Sequence, residues 1–178
     1  MAFPATRVSN NILHRAFQEK VEISLMKLQK ILFFLTAEYG KAFPDTPNHE
    51  DRYLLNQQFQ PWKFGPVLPS VYDEFKIFGS APIKKYAKDA DGRSTIIDES
   101  QNPVFKNVLD RVWLATRNID AIRLSEISQA QGSAWWNSWM EYERYISEDA
   151  IIADNTYKSA LLSLIHISEP TRRTPISY

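Results

Sequence analysis

The sequence predicts a mainly α protein, a single compact helical domain with a small β element around the Trp62 and Ile96 segments. Three observations lead there. Apolar residues recur at spacings of three and four along most of the chain, which is the helical period and not the alternation of a half-buried strand. Most of these runs follow a serine, asparagine or aspartate able to cap a helix start, or a proline suited to a first helical turn. Only Phe59 to Phe64 and Thr95 to Ile97 have the composition of short extended segments, and Pro61, lacking an amide donor, confines the first to a sheet edge. At 178 residues the chain is long enough to bury one core and short for two.

The elements follow in order. Ser9 is placed to cap a first helix running to about Lys20, with Ile12, Leu13, Ala16 and Phe17 as a narrow apolar stripe. Ser24 caps a second helix, Leu25 to Tyr39. Here Leu25, Leu28, Ile31, Leu32, Leu35 and Tyr39 make one broad face, and Met26, Phe33, Phe34 and Ala37 extend burial round most of the circumference, so this helix is the central one. Lys27, Gln29 and Lys30 interrupt it. They read most simply as solvated positions, or else as polar anchors tying a later corner to the helix start or contacting a partner.

Pro44, Pro47 and Asn48 mark a polar loop. Gly65 followed by Pro66 predicts a tight reversal between Phe64 and Val67, because glycine tolerates positive φ and proline fixes its own. Pro69 then opens a short helix with Val71, Tyr72, Phe75 and Phe78 on one face and Gly79 just past its end. Asn102 and Pro103 start a helix that buries Val104, Phe105, Val108, Leu109, Val112 and Trp113. Asp120 caps a short one bearing Ile122, Leu124 and Ile127, Ser133 begins another with Trp135, Trp136 and Trp139, and Ser147 opens a last helix to about Leu161. Leu162 to Arg172 resembles the translation of a transposon-end sequencing adaptor. The domain is therefore expected to occupy residues 1–161, with 162–178 a non-native tail that takes His166 out of consideration.

Composition narrows the chemistry. The formal net charge is zero, which removes the electrostatic drive of a non-specific nucleic-acid or anionic-membrane binder, so neither is expected as a partner. No cysteine is present, excluding disulfides, thiolate nucleophiles and cysteine-ligated zinc. The N-terminus lacks a signal-peptide apolar core, and the longest apolar run falls far below the roughly 20 residues of a spanning helix. A cytoplasmic protein is expected. Five scattered glycines cannot supply a nucleotide-binding loop or a nucleophile elbow. His14 and His49 lack partners at ligand spacing and read as solvated residues, and adjacent Asp73 and Glu74 point to different helix flanks. Neither catalysis nor a cofactor nor a metal is expected. Trp135, Trp136 and Trp139 read as packing residues, whereas Trp62 carries two readings: packing over the central helix, or exposure for a partner.

Three blocks point to a family. They are Ser24-Leu-Met-Lys-Leu-Gln-Lys-Ile-Leu-Phe-Phe34; Phe59-Gln-Pro-Trp-Lys-Phe-Gly-Pro-Val-Leu-Pro-Ser-Val-Tyr-Asp-Glu-Phe-Lys76 with Gly79 and Pro82-Ile83; and Leu124-Ser-Glu-Ile127 with Gly132, Ser133 and Trp135. In this order they resemble the Panacea domain of SocA-like antitoxins over about residues 8 to 160. The third block departs from the family pattern: Gln129 stands where members commonly carry a histidine, and Ser133-Ala134-Trp135 replaces Ser-Pro-Trp. The resemblance implies a small bacterial or phage-borne type II antitoxin that neutralises a cognate toxin, encoded by an adjacent gene, by direct binding. One member of the family also delivers its toxin to a Clp-type protease as an adaptor, which makes that the alternative function; a nucleic-acid-binding autoregulator is a third. The expected contact residues are Lys27, Gln29 and Lys30 on the central helix and Trp62, Lys63, Phe64 and Tyr72 around the corner.

Overall fold

The computed structural model describes residues 2–43 and 49–161. The predicted loop around Pro44, Pro47 and Asn48 and the predicted tail 162–178 lie outside them. Among the described residues the helices run in the order α1 (Ala5–Glu19), α2 (Leu25–Lys41), α3 (Pro69–Phe75), α4 (Pro103–Thr116), α5 (Ala121–Ser128), α6 (Ala134–Met140) and α7 (Glu148–Ala153), with further helical backbone at 158–161. Between α2 and α3 lies one hairpin, β1 (Gln60–Trp62) and β2 (Gly65–Val67). Single 3-10 turns occupy His49–Arg52, Lys76–Phe78 and Glu99–Gln101. The mainly α reading holds. Among the described residues no helix is long and apolar enough to cross a membrane.

α2 is the axis of the domain. Every residue from Lys27 to Gly40 is buried, and the helix packs against α1, α3, α4, α5, α7 and β2. Burial on all sides follows from the all-round apolar composition, which no single packing partner could cover. The contacts are tight enough that a Cβ on Gly40 would fall 2.4 Å from Ile152 Cγ1, so α7 can approach only because residue 40 is glycine. Ser24 caps α2 by accepting a hydrogen bond from the Lys27 amide at 3.2 Å, and Asp120, Ser133 and Ser147 cap α5, α6 and α7 in the same way.

Ser9 is not a cap. α1 starts four residues earlier at Ala5, because Pro4 presets the extended entry conformation (φ −63°, ψ 136°), and Ser9 instead donates its hydroxyl to Ala5 O within the buried face. The predicted last helix, Ser147 to about Leu161, is interrupted: α7 ends at Ala153 and helical backbone resumes at 158–161. The Asp154 carboxylate turns back to accept from the Thr156 amide and from the Ala134 amide at the start of α6.

The hairpin differs from the predicted corner in its detail. The reversal falls on Lys63 and Phe64, while Gly65, at φ 118°, and Pro66 lie within β2. The register pairs Trp62 with Gly65, Pro61 with Pro66 and Gln60 with Val67. Alternate pairs in an antiparallel ladder exchange no hydrogen bonds, and two prolines facing each other can occupy only such a pair.

No strand forms around Ile96, correcting that part of the sequence reading. The backbone there is paired with side chains. Asn11 accepts from the Ile97 amide (2.8 Å) and donates to Ile97 O (2.9 Å), and Asn10 does the same for Ala87 (2.7 and 3.0 Å) while also donating to Thr95 O (2.9 Å). Two buried side-chain amides on α1 thus satisfy backbone groups as a neighbouring strand would. Replacing Asn11 by leucine, which fills the space but leaves the Ile97 amide and carbonyl unpaired, should lower unfolding free energy by roughly 2–4 kcal/mol in urea titrations.

Candidate functional site

The start of α2, the hairpin, α3 and the start of α5 enclose a groove of about 620 Å³ with a predominantly apolar lining. Leu25, Met26, Trp62, Phe64, Val67, Tyr72 and Ile122 supply that lining, and Gln29, Lys30, Lys63 and Lys76 its polar groups. Six of the seven sequence-predicted contact residues therefore meet on one surface. Phe64 and Ile122 form its rim, 61% and 69% exposed, while Trp62 is half-buried with its ring 5.1 Å from that of Tyr72. Ile122 is exposed, whereas Leu124 and Ile127 of the same short helix are buried.

The seventh residue turns elsewhere. Lys27 is buried and donates from Nζ to Arg117 O at 2.6 Å, satisfying a carbonyl just past the C-terminal end of α4. Desolvation lowers its pKa, opposed by the charge of Asp120. The solvated reading fails for all three polar residues of α2, and the anchoring one describes Gln29 and Lys30: Gln29 brackets Leu68, accepting from its amide at 2.8 Å and donating to its carbonyl at 3.1 Å, and Lys30 donates to Pro66 O at 3.2 Å.

The rest of the hairpin is held from the other side. Trp135 Nε1 donates to Trp62 O (2.8 Å), Gln129 Nε2 to Lys63 O (2.8 Å), and Ser125 Oγ to Phe64 O. These three residues were not among the predicted site residues. Trp135 was read as packing, which it also does, buried and stacked on Trp139; its indole N–H gave no sign in the sequence of which carbonyl it would find.

Lys30 is electrostatically unusual. It is 1% exposed, and desolvation pushes its pKa down to about 7. Among the described residues no carboxylate pairs with it. Gly65 makes room for it, since a Cβ there would lie 2.6 Å from Lys30 Cε and 3.0 Å from Ser128 Oγ.

Elsewhere the titratable groups are occupied structurally. His14 Nδ1 lies 3.1 Å from Tyr86 Oη, and His49 Nε2 lies 2.7 Å from an Asp149 oxygen that also accepts from Tyr53. Arg15 joins α1 to Glu99 and Asp110 at 2.7 and 2.6 Å. Among the described residues no group of three or more histidine, aspartate or glutamate side chains is placed to hold a metal ion.

The family described as Antitoxin SocA-like, Panacea domain, matches residues 28–136, more than half of the chain. The chain belongs to the SocA-like Panacea family. Antitoxin SocA of Caulobacter vibrioides (strain NA1000 / CB15N) is 32% identical over 134 residues, covering 74% of this chain and 68% of the relative. No solved structure matches significantly. Membership in this antitoxin family supports an antitoxin role with a toxin as the general class of partner, and points to a regulatory and non-enzymatic protein. The matched Panacea span runs from within α2 into α6, and so carries the hairpin together with all five side chains that hold its carbonyls. Gln129, one of the two departures from the family pattern, places a side-chain donor on Lys63 O.

In this Panacea domain the buried ammonium predicts a specific pH dependence. Between about pH 7 and the ordinary lysine range, the unfolded chain holds a proton on Lys30 that the folded protein has shed, so stability rises with pH across that window. Relative to Lys30→Met, the wild type should gain about 2 kcal/mol between pH 7 and pH 9, read as the difference in urea unfolding free energies at the two values.

Proposed function

We propose that this protein neutralises a cognate toxin by binding it directly, with the groove as the contact surface. The observation that carries this reading is convergence: Gln29, Lys30, Trp62, Lys63, Phe64 and Tyr72, from separate elements, share one concave apolar surface whose rim exposes two large side chains. A concave site with an apolar centre, aromatic anchors and a few placed polar groups suits capture of another protein's side chains. The hairpin that forms one wall is pinned by side chains from three helices, so the surface is organised before a partner arrives and little ordering cost falls on binding.

Family membership supports the antitoxin half of this reading, and the geometry supports the location. Co-expression with the product of the neighbouring reading frame tests the first: growth arrest by that product alone, and rescue by this protein, are expected. Toxin half-life with and without a Clp-type protease separates stoichiometric inhibition, in which the toxin persists, from delivery for degradation.

The location is tested at the rim. Phe64→Asp and Ile122→Asp change exposed side chains and should leave the unfolding midpoint essentially unchanged, yet each should weaken toxin binding by about 30-fold or more, measured by calorimetry or biolayer interferometry. Unaltered affinity in both variants would place the contact elsewhere.

A further inference from the structure

The groove has a charge asymmetry that an apolar docking surface does not need. Its lining includes three lysines, Lys30, Lys63 and Lys76, and no aspartate or glutamate, in a chain whose acidic and basic residues balance. Lys30 is the distinctive one. Lys63 and Lys76 are exposed, the first over the Phe64 ring and the second 3.5 Å from an Asp73 oxygen, but Lys30 is almost wholly removed from solvent, with a single carbonyl, Pro66 O, for its three donors. Burial without a counter-ion disfavours the ammonium form of such a side chain, and an anion entering from the groove would favour it. The first turns of α2 and α5 also line this cavity through Ser24, Leu25, Ala121 and Ile122, adding the positive ends of two helix dipoles.

We propose that the groove receives an aspartate or glutamate side chain of the toxin, flanked by apolar residues, with the carboxylate completing the coordination of Lys30. This rests on the direct-binding reading above and specifies the chemistry of the partner at that site. The carboxylate matches the unmatched cation. The apolar flanks match the walls and the exposed rim of Phe64 and Ile122, which a chain passing across the mouth would cover on either side of the acid. A chain ending inside the groove would leave much of that rim bare, so the acid is assigned to a side chain and not to a terminal carboxylate. About 620 Å³ accommodates such a side chain with its neighbours.

Three synthetic peptides test the assignment on the free protein: N-acetyl-Leu-Glu-Leu-amide, N-acetyl-Leu-Gln-Leu-amide, and N-acetyl-Leu-Gln-Leu with a free terminal carboxylate. Binding is followed by amide NMR shifts of Lys63, Phe64 and Gly65. The glutamate peptide should bind at least about tenfold more tightly than either of the others, and Lys30→Met, which keeps the length and apolar stem of the side chain, should abolish that preference. Equal affinity for the glutamate and glutamine peptides, tighter binding of the terminal carboxylate, or a preference that survives in Lys30→Met would each overturn the inference. The wild-type comparison stands even if the variant folds poorly. Rescue of growth in co-expression is scored separately: rescue with no peptide preference sinks this inference alone, whereas absence of rescue sinks the direct-binding reading whatever the peptides do.

Discussion

The structure depends on how the hairpin's backbone is held. Within seven residues, the carbonyls of Trp62, Lys63, Phe64, Pro66 and Leu68 each accept a hydrogen bond from a side chain: Trp135, Gln129, Ser125, Lys30 and Gln29 in turn. A two-stranded hairpin of this size has almost no independent stability. Here its conformation comes from donors on α2, α5 and α6, three helices already fixed by the core. The arrangement turns an irregular, proline-rich segment into a wall with defined shape, and it explains why the three sequence blocks that carry the family resemblance are distant in the chain and adjacent in space.

Two of those donors serve a second purpose. Gln29 and Lys30 emerge from the most buried helix of the domain and so bring polarity to the floor of a surface that is otherwise apolar. For Gln29 the polarity is spent entirely on Leu68, whose amide and carbonyl it pairs. For Lys30 it is not, because one carbonyl occupies only part of an ammonium's capacity and supplies no opposite charge. The same residue therefore anchors the wall and leaves the groove positively biased. Lys27, one turn earlier on the same helix, shows the contrast: its ammonium is committed to a backbone carbonyl past the end of α4, away from the groove lining.

Much of the fold was legible in the sequence, because helix starts are local. Ser24, Asp120, Ser133 and Ser147 each accept from the amide three residues ahead, and each is identifiable from its neighbours alone. What stayed hidden depends on contacts far along the chain. The segment at Ile96 has the composition of a strand, but its partners are the side-chain amides of Asn10 and Asn11, some 86 residues upstream in the case of Ile97, and no ladder forms. The corner at Gly65 was placed correctly to within two residues, yet the glycine is needed for the approach of Lys30 and Ser128 as well as for its positive φ. For the polar residues of α2 the simpler of two readings, solvation, fails for a related reason: a charged side chain on an apolar helix signals a surface only when that helix has one. Of the site, the clustering of six residues was anticipated, while Met26, Ile122 and the donors from α5 and α6 were not, since nothing local distinguishes a serine or glutamine that reaches across the fold.

The facing prolines of the hairpin have a consequence for the behaviour of the free protein. In a pair that exchanges no hydrogen bonds, the backbone groups of both residues point away from each other, towards the outer margins of the ribbon. Pro61 and Pro66 thus remove one amide from each margin, and the Pro66 carbonyl is already engaged by Lys30. β2 is buried against α2 and α5, so a neighbouring molecule could approach only the margin of β1, where Pro61 offers no amide. Beside the exposed Phe64, this half-buried edge is in this way protected against self-association by strand addition, a hazard of unprotected strand edges.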